Sequence, residues 1–147
     1  MPYEFKTIRR VEFSDTDMAG IMHYSNYFRF METAEHGFFR SLGLSIFRSG
    51  NPPVAWPRVH ARCDFKIPLQ FEDEVEIHLL VAEKKSKALT YVFKFRKLNA
   101  APPVPVARGA LTVVCVSYQA DGRMAACAIP KAVADKIQTA PAELLDQ

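Results

Sequence analysis

Cysteine is scarce in this chain. Only Cys63, Cys115 and Cys127 occur in 147 residues, and their odd number and lack of a CxxC pair argue against a disulfide framework or a zinc site and fit a reducing cytoplasm. Nucleophile and cofactor signatures are missing as well. There is no HExxH pair, no GxSxG elbow, no Gly-rich phosphate loop and no Cys or Ser nucleophile motif. No stretch approaches about 18 consecutive apolar residues, and the first thirteen residues mix charge into their apolar positions, so neither a membrane span nor a secretory signal is expected. A dense charge of one sign is also lacking. The balance of 19 basic against 16 acidic residues leaves +3, with a pI near 8.8, and no basic stripe with interleaved aromatics marks a nucleic-acid binder.

What is present is the composition of one globular domain over 1–147, with 49% hydrophobic and 24% charged residues. A chain of this length buries about 68–70% of its unfolded surface, enough for a core without staples. Residues 3–13 alternate as a strand with Phe5, Val11 and Phe13 on one side. Residues 14–23, holding Asp15, Asp17 and Gly20, read as a loop. From 25 to 42 the period becomes helical through Tyr27, Phe30, Met31, Ala34, Phe38 and Leu42, with Ser25 or Asn26 as cap and Gly43 as stop. Gly37 inside it costs roughly 1 kcal/mol against Ala, which predicts close approach of another backbone.

After a connection at 49–57, three alternating segments follow. Ala61, Cys63, Phe65 and Ile67 form the first apolar row. Val75, Ile77, Leu79 and Val81 form the second, and Leu89, Tyr91, Phe93 and Phe95 the third, each with one face buried and one wet. Residues 106–118 continue as one long strand, Asp121-Gly122 marks a hairpin, 124–129 form a last short strand, and Pro130 opens a terminal helix to 137. The expected architecture is α+β: an antiparallel sheet of five or six strands curled around one long helix. Open sheet edges favour pairing across a two-fold axis, so a homodimer or homotetramer is expected.

The residues richest in chemistry lie between Val11 and Phe30. Asp15 and Asp17 precede the helix, whose entrance offers backbone N–H groups near His23 and Tyr24 for an anion or a developing oxyanion. A carboxylate beside such donors can attack a carbonyl or activate water, although an Asp ahead of a helix also serves as a simple cap or turn residue. The run Asp15-x-Asp17-x-x-Gly20 opens like a calcium loop, but Ala19 and Asn26 fill later ligand positions and calcium is rejected. His36, His60 and His78 read as solvent-exposed. Glu35 borders the apolar helix face, as a second acid or a solvated edge. Lys84, Lys85 and Lys87 make a basic turn, either a solvated hairpin end or a cradle for nucleotide phosphates.

The segment from Asp15 to Arg29, DTDMAGIMHYSNYFR, resembles the signature of hot-dog-fold acyl-CoA thioesterases, in particular the 4-hydroxybenzoyl-CoA thioesterase family. The likeness extends to Phe65-Lys-Ile-Pro68 and the acidic turn Glu72-Asp73-Glu74. The resemblance implies a hot-dog fold and hydrolysis of an acyl-CoA thioester. It makes Asp17 the nucleophile or general base and the Tyr24 N–H the group that polarises the carbonyl, with His23 close by and Gly20 permitting the tight loop that brings them together; Gly20 and, from its place on the helix face, Glu35 are expected to line the substrate. Lys84, Lys85 and Lys87 would meet the phosphates of coenzyme A along a subunit interface. No cofactor is implied, because CoA is part of the substrate. A non-catalytic acyl-CoA-binding or interaction module is the alternative, and the HFP-type motif of one dehydratase branch is missing.

Overall fold

The computed structural model describes residues 2–47 and 52–147. The chain forms β1 (Glu4–Arg10), a 3-10 turn (Phe13–Asp15), α1 (Ser25–Ser41), β2 (Arg58–Phe65), β3 (Glu74–Lys84), β4 (Ala88–Lys97) and β5 (Val104–Val114). A small hairpin of β6 (Val116–Tyr118) and β7 (Met124–Ala126) and two single-turn helices, α2 (Lys131–Ala134) and α3 (Ala142–Leu145), complete it. The five long strands make one antiparallel sheet in the order β1-β3-β4-β5-β2. This is the expected α+β architecture.

The period-2 pattern decides which sheet face meets α1. Ile77, Leu79, Tyr91, Phe93 and Phe95 are buried with Tyr27, Phe30, Met31, Ala34 and Phe38 of the helix in one core cluster. At about 1.5–3 kcal/mol per buried large side chain, this face is the main source of cohesion. The close neighbour of Gly37 is an aromatic ring rather than the expected backbone: a Cβ at Gly37 would lie 2.5 Å from Cε2 of Phe5. Gly43 ends the helix in a left-handed conformation, φ 75°, which glycine adopts without steric cost.

Five expectations are corrected. β1 stops at Arg10: the Val11 N–H still meets the Asp73 carbonyl at 2.9 Å, but the Asp73 N–H turns to Gln70 O, 3.1 Å, and the Val11 carbonyl takes the Glu72 N–H, 2.8 Å, and Phe13 is exposed in the following turn rather than beside Phe5. The long strand expected over 106–118 breaks at Cys115: its N–H still takes the last step of the β4–β5 ladder, to Lys87 O at 2.8 Å, but its carbonyl accepts the Cys127 N–H at 2.9 Å, and from Val116 on β6 leaves the main sheet and pairs with β7. The terminal helix shrinks to α2, and the strand expected over 124–129 ends at Ala126. Finally, the apolar row of β2 is not buried: Phe65 is 51% and Ile67 42% exposed, Ala61 is exposed and Cys63 half-buried. β2 is an edge strand. Of the connection expected over 49–57, residues 49–51 lie outside the described residues, while Ala55 bridges Val116.

Candidate active site

The loop between the 3-10 turn and α1 is held from several sides. Thr16 and Met22 form an antiparallel bridge, the Asp17 N–H donates to Ile21 O at 3.0 Å, and the Met22 N–H donates to Leu69 O at 2.7 Å. Gly20 turns the loop at φ 78°, a conformation costly for any residue with a Cβ. The carbonyl of Asp15 accepts both the His23 N–H, 2.8 Å, and the Asn26 amide, 2.8 Å.

The two aspartates consequently separate in role. Asp15 Oδ2 accepts the Glu12 N–H at 2.8 Å within a reciprocal capping box, so its carboxylate closes the 3-10 turn. Asp17 is half-buried and uses Oδ1 to accept the Ala19 N–H at 2.8 Å.

The entrance of α1 is assembled differently from the expectation. The N-cap is Tyr24, without a side-chain cap bond, and Ser25 is the first helical residue. His23 supplies the missing acceptor through its ring: Nδ1 receives the Ser25 N–H at 3.2 Å and lies 2.8 Å from Ser25 Oγ. A neutral imidazole accepting at Nδ1 carries its proton on Nε2. The N–H groups of Asn26 and Tyr27 turn inward to His23 O, 3.0 Å, and Tyr24 O, 3.3 Å. The backbone N–H of Tyr24 alone in this run meets no acceptor among the described residues. It stands at the positive end of a seventeen-residue helix, where backbone donors favour negative charge. His23 and Tyr24 stack with ring centroids 4.6 Å apart.

Two hollows flank α1 and share Glu32. A polar one of about 730 Å³ is lined by Arg9, Asp15, His23, Asn26 and Arg29 among others. The other, about 610 Å³, is walled by Ile46, Phe47, Val54, Trp56 and Tyr118, with His36 and Arg58 at its border.

Glu35 is neither exposed nor free. It is 0% exposed, and both its oxygens take Arg58: Nη2 bonds Oε1, and Nη1 lies 3.3 Å from Oε2. Arg58 also reaches Glu32 at 3.5 Å and Trp56 O at 3.0 Å. Burial pushes the Glu35 carboxyl up from its ordinary range, while the Arg58 charge opposes that rise. Glu35 is thus a buried ion-pair partner behind the apolar hollow, not a solvated helix edge. Arg58 gave no sign in the sequence, since it follows Pro57 outside any periodic segment. Arg9, which lines the polar hollow, was likewise unmarked, and Arg29 stood in the signature without a role.

The basic turn is far from this loop within one chain. Asp73, before β3, contacts Val11, whereas Lys84 ends the same strand, on the order of 30 Å away at 3.3 Å per residue. Lys84 Nζ donates to Ala134 O at 2.6 Å and Ile137 O at 2.8 Å. Lys85 pairs with Glu83 at 3.0 Å, and Lys87 is exposed. His78, expected in solvent, sits 2.7 Å from Glu4 and is only 13% exposed.

Comparison with known proteins agrees with this architecture. The chain is 38% identical over 78 residues to a 1,4-dihydroxy-2-naphthoyl-CoA hydrolase of Synechococcus sp. (strain CC9902), which is 49% of this chain and 52% of that protein. It therefore spans about half the length of that relative. Among solved structures, a gentisyl-coenzyme A thioesterase is similar at 33% identity and TM-score 0.75, over 88% of this chain and 98% of that one. The 4-hydroxybenzoyl CoA thioesterase of Pseudomonas sp. strain CBS-3, at 21% identity and TM-score 0.79 over 90% and 98% of the two chains, shares the fold. With residues 11–137 matching the thioesterase-like superfamily model and the helix entrance and antiparallel sheet in place around them, the chain belongs to the thioesterase-like superfamily.

Proposed function

We propose that the 147 residues act as one enzyme domain that hydrolyses an acyl-CoA thioester to a free carboxylic acid and CoA. The observation that carries this reading is the Tyr24 N–H at the entrance of α1, which meets no acceptor among the described residues and follows the braced loop that bears Asp17. Asp17 attacks the thioester carbonyl and expels CoA, leaving an acyl anhydride that water then hydrolyses to the free acid, or it takes a proton from water that attacks the carbonyl directly. The oxygen that gains charge is received by the Tyr24 N–H and the helix end behind it. His23 holds the first helical N–H and fixes the geometry of that donor, and Gly20 permits the loop. CoA leaves as a thiolate, an anion stable enough to need no strong general acid.

The relatives that suggest a substrate act, by their names, on gentisyl-CoA and 1,4-dihydroxy-2-naphthoyl-CoA. The aromatic walls of the apolar hollow and the Glu32 carboxylate at its rim suit a hydroxyaryl acyl group, whose hydroxyl would donate to Glu32. Glu35 supports that rim through Arg58.

The proposed assembly is a homodimer or homotetramer in the cytoplasm, joined along β2. That edge exposes Val59, Phe65 and Ile67 and carries Arg62 and Asp64, 2.7 Å apart, as a self-complementary pair for an antiparallel second copy. Such pairing lets the Lys85 and Lys87 turn of one copy serve CoA phosphates at the site of the other.

The test is release of free thiol from aromatic, short-chain and long-chain acyl-CoAs. Asp17→Asn is expected to keep its circular dichroism spectrum and lose roughly 10²- to 10⁴-fold in kcat. Undiminished turnover removes Asp17 from the reaction. Tight binding with no release from any substrate by the wild type makes the chain a binding module instead.

A further inference from the structure

Cys115 and Cys127 take no part in the proposed reaction, yet the fold places them face to face. In the β6–β7 ladder Val116 opposes Ala126, Ser117 opposes Ala125 and Tyr118 opposes Met124. Extending this register by one step sets Cys115 opposite Cys127, and the Cys127 N–H donates to Cys115 O at 2.9 Å. Their sulfurs lie 3.6 Å apart. Directly opposed residues of an antiparallel pair have Cα atoms about 4.5–5.5 Å apart, inside the range a disulfide spans. Forming the bond therefore needs the sulfurs to close by about 1.6 Å, toward the usual 2.05 Å, a movement within reach of side-chain rotation. Both are free thiols in this structure.

We propose that Cys115 and Cys127 form a reversible oxidative modification site, closing to a cross-strand disulfide in the presence of a low-molecular-weight disulfide such as oxidised glutathione. The two sulfurs differ in access. Cys115 is 0% exposed and Cys127 half-buried, so Cys127 is the sulfur that meets the oxidant. Its thiolate attacks one sulfur of the small disulfide, breaking that S–S bond and releasing one small thiolate, which takes up a proton. Cys115 then loses its proton and attacks the Cys127 sulfur of the mixed disulfide, expelling the second small thiolate, which is protonated in turn. Two protein thiols are oxidised and one small disulfide is reduced to two thiols.

The bond would tie the β6–β7 hairpin to the end of β5 behind the apolar hollow. Val116, adjacent to Cys115, exchanges two backbone hydrogen bonds with Ala55, at 2.9 and 3.0 Å. Ala55 and Trp56 form part of the wall of the hollow.

The full chain carrying Cys63→Ser, which leaves only these two thiols, is incubated folded with oxidised glutathione and mapped by mass spectrometry without reduction. The expected product has lost two hydrogens, joins the Cys115 and Cys127 peptides, titrates no free thiol and returns to two thiols with dithiothreitol. A persisting glutathione adduct on Cys127, two unreacted thiols, or a linkage that appears only in urea overturns the proposal. Cys127→Ser, at the half-buried position, should abolish the linkage, and alkylation of unmodified protein should trap Cys127 faster than Cys115. Equal trapping rates would also overturn the order of steps.

Discussion

A carboxylate sealed inside a helix–sheet interface is tolerable only with a partner, and Glu35 has one in Arg58. Removing one member of a buried pair leaves the other uncompensated, at a typical cost of about 3–5 kcal/mol. Arg58→Met should lower the urea midpoint by an amount corresponding to that range, and adding Glu35→Gln to it should recover a large part. Asp73 presents the opposite case near the surface of the same fold. Burial would raise its carboxyl, but the Asn99 amide at 2.9 Å, the Gln70 N–H at 2.7 Å and Lys97 at 3.5 Å together hold it below the ordinary carboxylate value. A carboxyl depressed on folding contributes stability that is complete above its unfolded value, about pH 4, and lost as pH falls through the lower folded value. Acid unfolding followed by tryptophan fluorescence should therefore steepen below about pH 4. Asp73→Asn should flatten that slope while costing about 1–3 kcal/mol at neutral pH.

At the level of elements, α1 and the sheet meet through an exchange of space between Gly37 and Phe5. An alanine at 37 would gain roughly 1 kcal/mol of helix propensity, but its Cβ would fall 2.5 Å from the Phe5 ring, and overpacking typically costs about 1–3 kcal/mol. Gly37→Ala should therefore destabilise by up to about 2 kcal/mol in thermal melts. Coupling it to Phe5→Leu should make the pair less harmful than the sum of the two changes. This contact also shows what was legible in the sequence. Period alone gave α1, β3 and β4 with their buried residues, and the unusual glycine announced a close neighbour but pointed to backbone where the structure has the Phe5 ring. The loop motif likewise marked Asp17, Gly20 and the Tyr24 N–H as candidates, and the structure puts all three on one braced segment leading into α1. What period could not give was anything decided across the fold. The pairing of Glu35 with Arg58 joins residues 23 positions apart. The His23 ring replaces the expected Ser25 or Asn26 cap by a bond that no propensity encodes. β2 alternates like a half-buried strand but sits at the sheet edge, where alternation reports a face suited to burial rather than one buried within the chain.

For the whole molecule, that edge governs the expected mass in solution. If copies join along β2, Val59→Asp with Ile67→Asp should reduce the sedimenting species to the 16.6 kDa chain. The same variant should lose affinity for acyl-CoA far more than for the corresponding N-acetylcysteamine thioester, which has no phosphates for Lys85 and Lys87 of a second copy. Unchanged mass would exclude β2 as the contact. The loop bearing Asp17 has a consequence of another kind. Bridged between Thr16 and Met22 and anchored to Leu69 and Asp15, it waits in one shape before substrate arrives, like a die already cut. Thickening the solvent with sucrose should then slow only encounter and departure, leaving single-turnover chemistry unchanged.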